Sequence, residues 1–472
     1  IARLSDKCFG VDFIRQVLGT VIENEGNRGK AAADCLTLVP ELARLDKNFV
    51  SGEEKSLGTL LTSRCDDLVV CENLLKTVAM AGDQLSSLGK SKDGIETIRK
   101  LCLHESWNVA KYAVRALVAL GCDDKAALSK VAQKAAENVT FGSKLPSALR
   151  VITEVAKACP EAVEKEREAV TNFVRKKLLA GAWPVSAGKK DRNTVIDSKA
   201  QGLKMLTILS LHDDENSVLE LCEEIITKGG EIQSGDSTPK QEKAILRKTA
   251  GCCIIRMAKA DGEIPIPPCT FAALSMLFED EDKNVKEAML HKVFKGTAQE
   301  RGKLSFHFAS LFALVAHDPD PVVLERGKKH LRDALKVMAC LKQGCGSEAV
   351  TMMAESLLAW LLYALVVHRE YADPDEDTNE ASLAFKKHLE LFFNCVPPEL
   401  QNAAAMQQVV EHIRKRSVPA LAASRRPVKV IERNVSLVAE VAHRLLKNNK
   451  RWTTKGLASD KFLSKVVPES IF

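Results

Sequence analysis

The side chains able to do chemistry in this sequence are ten histidines, 14 cysteines, 62 acids and 68 bases, and their spacing decides which chemistry is open. The histidines are scattered; His307 and His317, ten residues apart, are too distant to share adjacent turns of a helix. They are expected to be satisfied core or surface residues. The cysteines run from Cys8 to Cys395 without a CxxC, and neither Cys252 and Cys253 nor Cys340 and Cys345 have further ligands at zinc spacing. Buried free thiols in a reducing compartment are the expectation. The acidic runs 279–282 and 373–377 invite a cation, but they lack the alternating ligands, central glycine and closing glutamate of an EF-hand loop. They are expected to be solvated turns and helix starts. There is no GxxxxGK[ST], no GxGxxG after a strand, no HExxH and no GxSxG. The expectation is a non-enzyme without metal or organic cofactor, an inositol polyphosphate being the one ligand left open.

Charge is the informative polar feature. Residues 411–472 hold 14 Lys and Arg against five Asp and Glu, a balance of +9 in a chain whose total is +6, so residues 1–410 sum to −3. The clusters are Arg414, Lys415 and Arg416, then Arg425, Arg426 and Lys429, then 447–451 ahead of Trp452. Such a patch suits nucleic acid, an acidic peptide or another polyanion, and equally a solvated face of the last helices. A smaller basic group, 188–192, is expected in a loop.

The elements that must position these groups are helices. In WNVAKYAVRALVALG (107–121), Val109, Ala113, Ala116, Leu117 and Leu120 share one face, and Lys111, Tyr112 and Arg115 lie on or beside the other. Similar periodicity predicts helices near 68–81, 145–158, 160–180, 194–211, 213–228, 241–260, 281–296, 303–317, 320–341, 346–368, 381–396, 400–422 and 432–448, with breakers at 182–192, 229–239, 262–268 and 373–380. Aromatic residues are 5% of the chain, with three Tyr and four Trp, which favours helices over a β-sandwich. The apolar run 357–367 is too short for a bilayer span of about 20 residues and predicts a buried core helix. The chain begins at Ile1 without a signal-like segment, as expected of part of a longer protein.

The helices repeat. Residues 278–293 (FEDEDKNVKEAMLHKV) and 317–335 (HDPDPVVLERGKKHLRDAL) each carry an acidic turn, a Val, a basic residue and an apolar face. Val285 and Val322 are taken as counterparts, with Ile245 preceding them, and HESWNVAKYAVRALV (104–118) carries the pattern again. Val109, Leu117, Val285 and Val322 are expected in the core, with turn aspartates capping the helices. An acidic turn before a Val-led helix at this spacing resembles the two-helix HEAT unit, which buries its apolar face only by stacking. The expected fold is all-α, a HEAT-repeat α-solenoid over 1–396 with a basic helical cap over 397–472.

Several segments in order resemble one family: AKYAVRAL (110–117) its A-K-x-A-V-R helix, VIDSKAQGLKMLTIL (195–209) a later helix, and LRKTAGCCIIRMA (246–258) its L-R-x-x-A-G segment. The chain resembles the cohesin-associated regulators of sister-chromatid cohesion, the "precocious dissociation of sisters" family, over about residues 100–472. Residues 357–375 depart from the family's Pro-containing stretch at that place. The resemblance implies a nuclear, chromatin-associated scaffold that binds the kleisin subunit of cohesin. It would work with a releasing factor of the wings-apart-like type and against the cohesion acetyltransferase. The releasing factor's site is expected outside this chain, and no membrane is involved.

On that resemblance the kleisin-binding candidates are Lys111, Tyr112, Arg115, Arg247, Lys248 and Arg256, read as the polar faces of the two best-matching helices. The competing reading of these six is i,i+4 pairing and solvation. Arg414, Lys415, Arg416, Arg425, Arg426 and Lys429 are the candidates for DNA or an inositol polyphosphate. The competing functions are a generic HEAT adaptor in nuclear transport or a vesicle coat, and a direct nucleic-acid binder using the basic C-terminal region.

Overall fold

The computed structural model describes residues 10–23, 34–121, 125–141, 144–180, 189–211, 217–232, 239–260, 266–300, 303–342, 353–368, 378–415 and 427–448, with Leu463, Val466, Val467 and Ile471; for 189–194 and Lys342 it describes the backbone alone. Every regular element among these residues is helical. The chain divides into two compact units, Ile1–Asp214 and Glu215–Phe472.

The first unit contains α1 (Val11–Glu23), α2 (Val39–Leu45), α3 (Glu54–Ser63), α4 (Leu68–Ala81), α5 (Ser86–Lys90), α6 (Lys92–Leu101), α7 (Trp107–Ala119), α8 (Lys125–Phe141), α9 (Leu145–Ala158), α10 (Glu164–Asn172) and α11 (Lys189–Ser210). Helices α2, α4, α7, α9 and α11 pack side by side as one row, and α3, α6, α8 and α10 lie behind them as the second row. Each hairpin, such as α6 with α7 or α8 with α9, thus contributes one helix to each row, the two-layer stack of a HEAT solenoid. The seams are built from small residues: α7 buries Val109, Ala110, Ala113, Val114, Ala116 and Leu117. At Gly82, past the end of α4, a Cβ would stand 2.5 Å from the backbone carbonyl of Ala119 in α7, so no larger residue allows that approach.

The second unit contains α12 (Ser217–Thr227), α13 (Lys240–Lys259), α14 (Pro268–Ser275) and α15 (Lys283–Phe294), then a 3-10 helix (Phe306–His317), α16 (Pro321–Lys342), α17 (Ala354–Val366), α18 (Thr378–Cys395), α19 (Ala403–Lys415) and α20 (Val428–Asn448). Helices α12, α14 and the 3-10 helix form one row; α13, α15 and α16 form the other. Helix α17 is buried on every side, Glu355 and Ser356 included, as expected for the apolar run 357–367. Among the described residues no helix is long and apolar enough to cross a membrane. The core here is aromatic: Phe271, Phe278, Phe308, Phe312, Phe385 and Phe392 are fully buried, and Phe271 lies 4.6 Å from the Trp360 ring. The chain's few aromatics are therefore concentrated where the hairpin stack meets α17. The expected boundary at 396/397 falls inside this unit, where α19 and α20 pack on α17 and α18.

Turn aspartates cap helices as anticipated: Asp67 accepts from Val69 and Val70 N–H, Asp282 from Asn284 N–H at 2.8 Å, and Asp320 from Val322 N–H at 2.9 Å. These caps correct the repeat register. Asp282 and Asp320 are equivalent, so the counterpart of Val285 is Val323, fully buried, and Val322 turns outward at 55% exposure. On the preceding repeat the buried residue is Leu246, with Ile245 only half-buried. Two further differences are local. The basic group around 188–192 is not in a loop, because α11 begins at Lys189. Helix α8, unmarked by a clear apolar stripe, buries Ala132, Ala135 and Ala136 among its larger residues.

Candidate protein-interaction site

Trp107, Lys111 and Arg115 stand at i, i+4 and i+8 of α7, one stripe with Tyr112 beside it. The next helix of the row, α9, offers a matching stripe of Arg150, Glu154 and Lys157. Glu154 has only 3% of its side chain exposed and carries the junction: Arg115 Nε donates to it at 2.8 Å, Lys157 Nζ at 2.8 Å, and Arg150 lies 3.8 Å away. Burial pushes the Glu154 carboxyl up, but the hydrogen bonds and charges of Arg115 and Lys157 outweigh it and hold it below the usual carboxylate range. Arg150 also donates to Gln201 of α11 at 2.9 Å and places its guanidinium over the Trp107 ring at 5.4 Å.

Tyr112 is half-buried, and three cations surround its ring: Lys111 at 4.5 Å, Lys76 of α4 at 5.3 Å and Arg115 at 5.8 Å. Lys76 is paired with Glu72. Lys111 Nζ makes a 3.4 Å contact to the Tyr112 hydroxyl and, among the described residues, no ion pair. Burial, then repulsion from Arg115 and Arg150, pushes its ammonium down to about 8. Three cations thus gather on one buried carboxylate, with Lys111 beside them, around two partly exposed aromatic rings. The ridge is short of negative charge, and a carboxylate arriving beside Lys111 would restore it. Such amphipathic rings and cations are the groups that dominate protein–protein contacts.

Lys111, Tyr112 and Arg115 are therefore brought together with Trp107 on α7, while Arg150, Glu154 and Lys157 of α9 complete a group that one helix alone did not disclose. The signal for the missing residues is the 39-residue offset from Arg115 to Glu154, one repeat length.

The α13 candidates behave differently. Arg247 does not lie on a polar face: it is 7% exposed, donates to both Asp280 oxygens at 2.7 and 2.8 Å, and donates to the Gly229 carbonyl at 2.8 Å. It holds the end of α12 and the turn before α15 onto α13. The next repeat repeats the device, with Lys286 of α15 on Asp318 at 2.5 Å. Gly251 serves the same packing, since a Cβ there would meet Leu277 at 2.4 Å and Met289 at 2.7 Å. The LRKTAG stretch is thus largely architectural. Lys248 and Arg256 are half-buried and make no ion pair among the described residues. In the C-terminal region Arg414, Lys415 and Lys429 are exposed, with Arg414 3.7 Å from Glu411; Arg416, Arg425 and Arg426 lie outside the described residues.

Histidines do converge, on one carboxylate. Glu279 pairs with His368 and lies 3.7 Å from His388, whose ring is 4.7 Å from His317. Among the described residues no group of three or more His, Cys, Asp or Glu has the geometry to hold a metal ion. Of the described cysteines Cys71, Cys102, Cys222, Cys253 and Cys395 are buried and Cys340 is exposed.

Comparison with known proteins places these features in a family. A family model described as sister chromatid cohesion protein PDS5 matches residues 1–466. Among curated relatives, "Sister chromatid cohesion protein PDS5 homolog A" of Arabidopsis thaliana is 23% identical over 396 residues, covering 78% of this chain and 24% of that protein. "Sister chromatid cohesion protein pds5" of Schizosaccharomyces pombe is 24% identical over 260 residues, covering 50% of this chain and 21% of that protein. The chain spans about a quarter of the length of the relatives it matches. A solved circular tandem repeat protein, 15% identical over 94% of each chain, reaches a TM-score of only 0.20, too low to bear on the fold. The helical-repeat architecture and the match along nearly the whole sequence converge: the chain belongs to the PDS5 family of sister chromatid cohesion proteins.

Proposed function

We propose that this chain acts in sister-chromatid cohesion, on chromosomes in the nucleus, as a non-enzymatic scaffold that holds an extended segment of the cohesin kleisin subunit. The segment would lie along the α4–α7–α9 row, with an acidic side chain beside Lys111 and apolar side chains against Tyr112 and Trp107. The observation that carries the reading is the cation-rich ridge: Arg115, Arg150 and Lys157 share one buried carboxylate, Lys111 stands beside them without an ion pair among the described residues, and burial has already lowered its ammonium to about 8. A solenoid suits this work because a row of parallel helices offers an extended chain many equivalent contacts. Engagement of a releasing factor and an acetyltransferase, and the outcome for release or maintenance of cohesion, would follow from where the kleisin is held. A DNA or inositol-polyphosphate contact through Arg414, Lys415 and Lys429 is a separate proposal, which requires steep salt dependence.

The test is a kleisin pull-down with Lys111→Glu and Arg115→Glu combined. Loss of capture with unchanged circular dichroism supports the reading; full capture by the folded double variant rejects it. Arg247 variants are excluded from such tests, because loss of its buried contacts to Asp280 and Gly229 is expected to disturb the fold.

A further inference from the structure

Across the seams of this protein, charged side chains about one repeat apart pair with opposite sign. Lys47 meets Asp83 at 2.9 Å, Lys125 meets Glu161 at 2.6 Å, Lys259 meets Glu300 at 2.8 Å, Lys283 meets Asp320 at 2.7 Å and Arg326 meets Glu287 at 2.9 Å. The seam between α6 and α8, on the row behind the kleisin ridge, departs from this rule. Arg99 and Lys100, in the last turn of α6, share a groove with Lys130 and Lys134 of α8, and Glu96 is the one acid among the described lining residues. All four cations are exposed and make no ion pair among the described residues. Helices α6 and α8 approach each other less closely than α3 and α6 or α8 and α10 do, and a cavity of about 520 Å³ stands between them.

Like charges gathered across a seam cost stability, so their presence without partners among the described residues points to an occupant that supplies the missing sign. The floor of the groove identifies its chemistry. Leu103 and Val131 give it an apolar base, which a bare phosphate cluster does not use. Among the described residues no aromatic side chain lines it, which leaves nucleobases without a stacking surface there. We propose that this groove is a second peptide-docking site, taking an acidic linear segment of a partner protein. One apolar side chain seats on Leu103 and Val131, and carboxylates on either side of it pair with Arg99 and Lys100 and with Lys130 and Lys134. The site is independent of the kleisin ridge and stands whether or not that reading does.

The test uses the whole chain and a fluorescein-labelled peptide, Glu-Glu-Asp-Leu-Glu-Asp-Leu-Glu-Glu, followed by anisotropy at several salt concentrations. Lys130→Glu with Lys134→Glu is expected to weaken binding at least tenfold, and Lys92→Glu, on α6 but outside the groove, to leave it unchanged. Replacing both leucines of the peptide by serine is expected to weaken binding to the native chain several-fold. The charge reversals are also expected to raise the melting temperature, because they place opposite charges across the seam. Peptide affinity unchanged by the double reversal overturns the proposal, as does a fall in melting temperature. Tighter, mutation-sensitive binding of inositol hexakisphosphate or of a thymidine 20-mer than of the peptide also overturns it, in favour of a polyphosphate or nucleic-acid site.

Discussion

Replacing Arg247 by Ala separates architecture from recognition on the family's most distinctive segment. The guanidinium makes two hydrogen bonds to Asp280 and one to the Gly229 carbonyl, and the two side chains are only 8% and 4% exposed. Truncation leaves the Asp280 carboxylate buried, with the backbone N–H of Asp282, at 2.9 Å, as its remaining donor among the described residues. Breaking a buried pair by removing one partner costs about 3–5 kcal/mol, against roughly 0.5 kcal/mol or less for Lys248→Ala or Arg256→Ala on the same helix. Native-state hydrogen exchange by mass spectrometry reads this locally. Peptides from α13 and α15 should exchange at least about a hundredfold faster in Arg247→Ala, since each 1.4 kcal/mol is about tenfold, while peptides from α4 and α7 stay unchanged. Adding Asp280→Asn to Arg247→Ala should recover part of the loss, because an amide is cheaper to bury than a carboxylate. A tenfold effect or less, or an equal effect of Arg256→Ala, would refute the claim that Arg247 is held inside the fold.

Other predictions follow from the same geometry. If a partner carboxylate docks beside Lys111, the bound ammonium titrates above its free value of about 8; affinity is then full below pH 8 and falls as pH rises from 8 through the bound value, with proton uptake measurable by calorimetry in buffers of different ionisation enthalpy. Lys111→Arg removes that pH dependence, and its persistence in this variant contradicts the assignment. Acid should destabilise the second unit: burial pushes His388 down to about 4 in the native state, with Glu279, His317 and His368 facing it, so the unfolded chain takes up a proton between about 6.5 and 4 that the folded one refuses. The melting temperature is expected to fall over that window and His388→Gln to flatten the slope; a pH-independent melt would count against it. Gly251→Leu should disrupt packing by at least about 2 kcal/mol, seen in urea denaturation, because its side chain would overlap Leu277 and Met289.

The all-helical fold was legible because its signal is local: a 3.6-residue apolar stripe and a capping aspartate identify α4 and α15 within their own segments. Register was less so. Val322 and Val323 are both apolar, and only the backbone cap from Asp320 decides which one faces inward. Arg247 was misread for a related reason: a guanidinium on a helix reads as solvated until its acid, 33 residues away, is known to be buried with it. The ridge was half visible. Lys111, Tyr112 and Arg115 lie in one helix, whereas Arg150, Glu154 and Lys157 join them through the stacking of repeats. The groove of Arg99, Lys100, Lys130 and Lys134 had no local signature, since neither helix alone departs from an ordinary solvated face.

The most direct measurement of the central claim is photo-crosslinking in nuclear extract, with p-benzoylphenylalanine in place of Tyr112 in the otherwise native chain. The account predicts a crosslink to the cohesin kleisin from this position, reduced by Arg115→Glu, and none from the same group in place of Lys134. Capture of the kleisin from position 134 and not from 112 would contradict it.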